Sequence, residues 1–286
     1  MEKKYYNLDD YKKKYNLSPK IITSDVESYV NFLEFNFVYN KLWVSQSQFI
    51  PSAPVGIYPN NYPIIFKPII NLYGFSKGFK IIHNEEEYDN NITTGIFWQP
   101  YFKGKHICCD LVLDNSKIIF SSFLRSYPGS KGSFKLHQTV TYTLPNKILA
   151  WINKYLGGYR GCINIEIIDN NIIECHLRLN GDFHLYNSDF TKQLSDFLEY
   201  KTNTILYDIP YIYIFPVFIE RNKKILFQKK QKMIQKFIKK SKFVRTVYLD
   251  DIESIIHGSL IRVIIFDSTS FYEGFKIQKI VESLLN

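Results

Sequence analysis

Residues 161–178 set Glu166, Glu174, His176 and Arg178 into two runs that are mostly apolar. The runs are Gly161-Cys-Ile-Asn-Ile-Glu166-Ile-Ile and Ile172-Ile-Glu174-Cys-His176-Leu-Arg178. They are short, rich in β-branched Ile, and joined at Asp169-Asn170-Asn171, so the spacing predicts a hairpin of two strands. Period-2 alternation then places Glu174, His176 and Arg178 on one face, with Glu166 close to Glu174 on the partner strand. Two neighbouring carboxylates on apolar strands repel each other and resist desolvation. A bound divalent cation relieves both problems. An exposed sheet face carrying a Glu–Arg cross-strand pair does so too, and the apolar flanks fit either arrangement.

The remaining elements follow from local pattern. Ser24 and Glu27 fit a capping box, with Val30, Leu33, Phe37 and Val38 at helical spacing behind them. A second helix is expected over 40–48, ahead of Pro51 and Pro54. Strands are expected over 63–70, 78–82, 95–102, 106–113, 117–123, 161–168 and 171–179, and helices over 145–156 and 189–200. The Ser/Gly/Pro-rich stretch 126–133 is expected to be a loop. The last 75 residues suggest a module of their own: strand 211–220, a basic helix over 228–242, strands 244–249 and 260–266, and a closing helix over 270–285. The class is α+β with antiparallel sheets.

Composition narrows the partners. At 286 residues, 45% hydrophobic and 17% aromatic, the chain can build a real core, which excludes disorder and collagen-like repeats. No apolar stretch is long enough for a transmembrane helix, and the polar first residues show no secretory signal. Cys108, Cys109, Cys162 and Cys175 lack metal-ligand spacing, so a reducing, cytoplasmic setting is expected. The net charge of +9 invites a nucleic-acid partner, but eleven Lys and Arg lie within 221–245 with no acid among them, leaving −2 elsewhere. That segment fits an amphipathic helix with a solvated Lys face, or a docking surface for an acidic partner; nucleic acid is the less favoured option.

Three further features carry chemistry in combination. Lys67 lies inside the apolar run Ile-Ile-Phe-Lys-Pro, either snorkelling to water or held to meet a phosphate. Asn71-Leu-Tyr-Gly74-Phe-Ser-Lys77-Gly78 is a turn with exposed amides, matching neither nucleotide-binding glycine signature and equally a hairpin. Trp98-Gln99-Pro-Tyr101-Phe102-Lys-Gly-Lys-His106 suggests a hinge between sheets, or a plain hairpin.

A strand lysine, a glycine turn, an aromatic hinge and a carboxylate hairpin in this order resemble the ATP-grasp superfamily, over about half the chain, residues 40–186. The resemblance implies an ATP-grasp-like fold of two α+β subdomains with mostly antiparallel sheets, plus a small C-terminal α/β module. The implied segments are an N-terminal arm and helix (1–39), the two subdomains (40–103 and 104–186), and an accessory module (187–286). It implies a Mg²⁺-dependent, ADP-forming ligase that activates a small carboxylate as an acyl-phosphate for attack by an amine. An ATP-grasp kinase or a non-catalytic nucleotide- or polyanion-binding protein is the alternative.

Residue by residue, the resemblance makes Lys41 and Lys67 phosphate-binding, with Lys67 also catalytic. Gly74, Lys77 and Gly78 become the phosphate flap, and Gln99, Tyr101 and Phe102 the adenine hinge. His106 falls where the family often has a ribose-binding Glu. Glu166 and Glu174 become metal ligands, and Arg178 becomes catalytic, facing the transferred phosphoryl group or the acyl-phosphate. His176 departs from the family's usual Asn; imidazole suits softer ions than Mg²⁺, which brings in Mn²⁺ or an indirect role.

Overall fold

Apolar runs pair into two antiparallel sheets in a computed structural model that describes residues 18–22, 24–72, 78–130, 133–180, 188–249 and 260–285. The first part of the chain supplies α1 (Asp25–Asn31), α2 (Lys41–Ser47), β1 (Ala53–Pro54), β2 (Ile64–Pro68), β3 (Lys80–Ile82), α3 (Glu85–Asp89) and β4 (Ile96–Pro100). The middle supplies β5 (His106–Asp114), β6 (Lys117–Pro128), β7 (Phe134–Thr139), α4 (Asn146–Tyr155), β8 (Arg160–Ile168), β9 (Asn171–His176) and α5 (Ser188–Leu198). The last part supplies β10 (Tyr213–Glu220), α6 (Lys224–Lys239), β11 (Val244–Leu249), β12 (Leu260–Ser268) and α7 (Phe271–Leu285).

The smaller sheet runs β1-β4-β2-β3 and buries Phe66 against Tyr88 of α3. The larger runs β11-β12-β10-β7-β6-β5-β8-β9. One face of its β5–β8–β9 portion is apolar: Cys109, Leu111, Ile163, Ile165 and Cys175 pack against Ile148, Trp151 and Ile152 of α4. The other face divides. At one end Val112, Phe120 and Cys162 pack on Phe190, Leu194 and Phe197 of α5. Toward the other end the same face carries ionisable and polar side chains, because Glu166 stands in register with both Glu174 and Cys108, and His106 with Ser126.

Several elements differ from the sequence expectation. The helix begun at Ser24, whose hydroxyl accepts from the Glu27 amide, ends at Asn31; Phe37 and Val38 lie in a separate 3-10 turn, Asn36–Tyr39. β6 runs on to Pro128, and 134–139 forms β7, a strand that Ser- and Gly-rich flanks conceal. α6 starts earlier than expected, at Lys224, and hides Phe227, Ile234 and Ile238 in the core while Lys229, Lys232 and Lys236 face solvent. The C-terminal strands do not form a sheet of their own, since β10 pairs with β7 and so extends the large sheet. No helix among the described residues is long and apolar enough to cross a membrane.

Gly274 in α7 makes a close approach possible. A Cβ there would lie 2.1 Å from a ring carbon of Phe215, which is itself stacked on Phe266 at 5.3 Å. Helix propensity alone favours Ala over Gly by about 1 kcal/mol. Overpacking costs about 1–3 kcal/mol, so Gly274→Ala is expected to destabilise the chain. Chemical denaturation with unchanged or raised stability would refute the α7–β10 contact.

Candidate functional site

Asn40 caps α2 by accepting the Trp43 amide at 2.9 Å, which fixes Lys41 as the first helical residue. The Lys41 amide donates to the Ile69 carbonyl just beyond β2. On β2, Ile64 and Phe66 face the small core, so alternation turns Lys67 the other way, toward the large sheet. There its ammonium donates to the Ile173 carbonyl at 2.9 Å. The edge strand β9 is also held by Gln48, whose amide donates to the Ile172 carbonyl and accepts its N–H, both at 2.8 Å.

Both lysines meet Glu174. Lys41 Nζ is 2.7 Å and Lys67 Nζ 3.9 Å from Oε1, while His176 Nε2 is 3.5 Å from Oε2. Burial opposes ionisation of Glu174, but Lys41, the His176 contact and Lys67 outweigh it and hold the carboxyl well below its usual range. Burial lowers Lys67 to about 8, with the Glu174 charge resisting that fall and Lys41 adding to it. Two ammonium groups thus converge on one carboxylate, and the Glu166 charge across the hairpin also acts on Lys67.

Glu166, directly across from Glu174, receives His106 Nε2 at 2.9 Å. Burial and the Glu174 charge work against its ionisation, yet the His106 contact keeps it ionised and below the normal value. Burial opposes protonation of His106; Cys108 and Glu166 more than compensate and push it up to about 10. The hairpin turn holds Asp169 and Asn170 at φ of 53° and 61°, left-handed conformations that Asp and Asn tolerate best.

His176 and Arg178 are organised by Asp25, a residue no local pattern singles out. From the first turn of α1 its Oδ1 accepts from Arg178 Nε at 2.7 Å and its Oδ2 from Nη2 at 2.8 Å. The same Oδ1 lies 3.0 Å from His176 Nδ1. Burial would raise the Asp25 pKa, but His176 and Arg178 hold it far below the usual carboxylate value. Arg178 Nη1 donates to the Leu179 carbonyl at 3.0 Å, so the guanidinium is engaged on three nitrogens. With Nδ1–H directed at Asp25, His176 presents Nε2 toward Glu174, the arrangement in which a carboxylate fixes the tautomer of a metal-binding imidazole.

Glu166, Glu174 and His176 each offer a donor atom, all within 4.8 Å of one another. Two carboxylates suit Mg²⁺, which keeps waters and takes its other ligands from substrate phosphates; the imidazole also accommodates Mn²⁺. Of the other expected residues, Gln99 is buried with its side-chain oxygen accepting from Ser45 at 2.7 Å. The Tyr101 amide donates to the Pro63 carbonyl, and Phe102 follows, half-buried. Gly78 adopts φ +74°. Gly74 and Lys77 lie outside the described residues.

The fold has clear counterparts among solved structures. An L-amino acid ligase from Bacillus licheniformis superposes with a TM-score of 0.58 at 11% identity, over 87% of this chain and 71% of that one. Carboxyaminoimidazole ribonucleotide synthase from Aspergillus clavatus, complexed with ATP, gives 0.64 at 10% identity, over 91% and 78%. N5-carboxyaminoimidazole synthetase from Staphylococcus aureus, complexed with ADP, gives 0.61 at 12%, over 88% and 72%. No protein-family model matches the sequence, and no curated protein matches it. The fold is that of the ATP-grasp proteins.

Removing Asp25 would strand the Arg178 guanidinium in a buried setting, a loss of about 3–5 kcal/mol. Asp25→Ala is expected to fall in that range by urea unfolding, and Arg178→Met added to it should recover more than half. Strict additivity of the two variants would show that the pair is not coupled.

Proposed function

We propose that this chain is an ATP-dependent ligase of ATP-grasp type. In the reaction proposed, a carboxylate oxygen of a small acid attacks the γ-phosphorus of ATP, releasing ADP and leaving an acyl-phosphate. An amine then attacks the acyl carbon and phosphate departs. The observation that carries this reading is the convergence of Lys41, Lys67 and Glu174 beside Glu166, from three separate parts of the fold. Residues 40–103 and 104–186 would be the two clamping subdomains, with 187–286 accessory to them.

In this reading Lys41 and Lys67 neutralise phosphate oxygens as point charges. Glu166, Glu174 and His176 hold Mg²⁺ or Mn²⁺, which supplies positive charge to the transferred phosphoryl group. Gln99, Tyr101 and Phe102 line the adenine side through the backbone. His106 turns its second ring nitrogen to the ribose. Gly78 would close the turn expected to cover the phosphates. Arg178, locked by Asp25, keeps a fixed positive charge behind His176.

Calorimetry with Mg²⁺ should show saturable ATP binding, reduced at least tenfold by Lys67→Ala and again by Glu174→Gln. Circular dichroism of each variant checks that the fold survives. Absence of ATP binding by the parent chain with either Mg²⁺ or Mn²⁺ would end this reading. A panel of amino acids and small carboxylates scored for ADP release then identifies the acid.

A further inference from the structure

We propose that His106, Cys108 and Glu166 form a second cation site, one for a thiophilic divalent ion of which Zn²⁺ is the best match. The site adjoins the Glu174–His176 pair but takes its chemistry from a different strand. His106 and Cys108 are two residues apart on β5 and share a face, while Glu166 is the register partner of Cys108 on β8. The sheet itself therefore aims all three side chains at one patch.

The separations suit a small ion. His106 Nε2 lies 2.9 Å from Glu166 Oε2 and 3.8 Å from Cys108 Sγ, and the three donor atoms fall within 4.8 Å of one another. With bonds of about 2.0–2.2 Å to nitrogen and oxygen and about 2.3 Å to sulfur, the first two separations subtend roughly 90° and 120° at the metal, a distorted tetrahedron. A cation enters by replacing the proton shared between His106 and Glu166. The Cys108 thiol and the His106 imidazolium each release one proton to solvent as it binds, leaving a thiolate and a neutral imidazole as ligands.

The donor set selects the ion. Thiolate, imidazole and carboxylate together favour Zn²⁺ and disfavour Mg²⁺, which prefers oxygen alone. Cys108 is buried, whereas the side chains of His106 and Glu166 keep 12% and 22% of their exposure, which gives the ion a route in. Behind the sulfur, Ser126 Oγ stands 3.3 Å from Sγ and 2.8 Å from His137 Nδ1. With His137 donating to that hydroxyl, Ser126 is free to donate to a thiolate and stabilise it. Three protein donors leave a fourth position for water or a substrate oxygen.

This site does not rest on the nucleotide reading, although Glu166 serves both. The test is a titration of the full chain with Co²⁺ as the spectroscopic substitute for Zn²⁺. One equivalent should produce a thiolate-to-cobalt charge-transfer band that added Zn²⁺ abolishes. Cys108→Ser should remove the band, and His106→Gln should weaken Co²⁺ binding at least tenfold while leaving the thiol in place. Glu174→Gln should retain the band while losing Mn²⁺ binding, so failure of the nucleotide site and failure of this one are separable. No charge-transfer band in the parent chain, a band that persists in Cys108→Ser, or unchanged Co²⁺ affinity in His106→Gln overturns the proposal.

Discussion

Glu174 is the point on which the arrangement turns. A carboxylate on an apolar hairpin cannot remain ionised unless cations are brought to it; besides His176 of its own strand, two lysines reach it from other elements, Lys41 from α2 and Lys67 from β2. Satisfying one charge thus pins a helix and the smaller sheet to the edge of the larger one. Loss of a single partner from such a buried cluster costs about 3–5 kcal/mol, comparable to a large share of a domain's net stability. Gln48 and Lys67 meanwhile bond consecutive residues, Ile172 and Ile173, so β9 is an edge strand in topology whose backbone is nevertheless occupied.

The same strand organises charge in two tiers. On the Glu166 and Glu174 row, lysines and His106 hold two carboxylates ionised despite mutual repulsion. One step along the hairpin, Asp25 reverses the polarity by gathering Arg178 and His176. The face therefore alternates anions held by cations with cations held by an anion, and every member has a defined position before any ligand arrives. Preorganised charge of this kind is what phosphoryl chemistry demands, since little energy is then spent on reorientation during the transfer.

What the sequence made legible was whatever obeys a short period. The hairpin, its turn at Asp169-Asn170 and the common face of Glu174, His176 and Arg178 follow from alternation, and Lys67 stands out as a cation in an apolar run. Asp25 and Gln48 were hidden because their partners lie 153 and 124 residues away, and an Asp after a helix cap looks like dipole compensation. The extension of the large sheet by β10 was hidden for a related reason: pairing between distant strands leaves no trace in either one. The break after Asn31 leaves no local signal, because Phe37 and Val38 keep helical spacing while sitting in a different turn.

His176 shows why a departure from pattern deserves a structural explanation before a functional one. A neutral amide at that position would offer an oxygen to a hard ion and would need no counter-charge. An imidazole brings a second nitrogen that must also be satisfied in a buried site, and Asp25 satisfies it at 3.0 Å while binding Arg178 with both oxygens. A histidine at this position is therefore coupled to α1: the His needs the Asp, and the Asp needs the Arg to remain charged so far from water. Replacing His176 alone by Asn would leave Asp25 with Arg178 but remove one of its two cationic neighbours. The orientation of the His176 imidazole and the docking of α1 are consequently two expressions of one carboxylate.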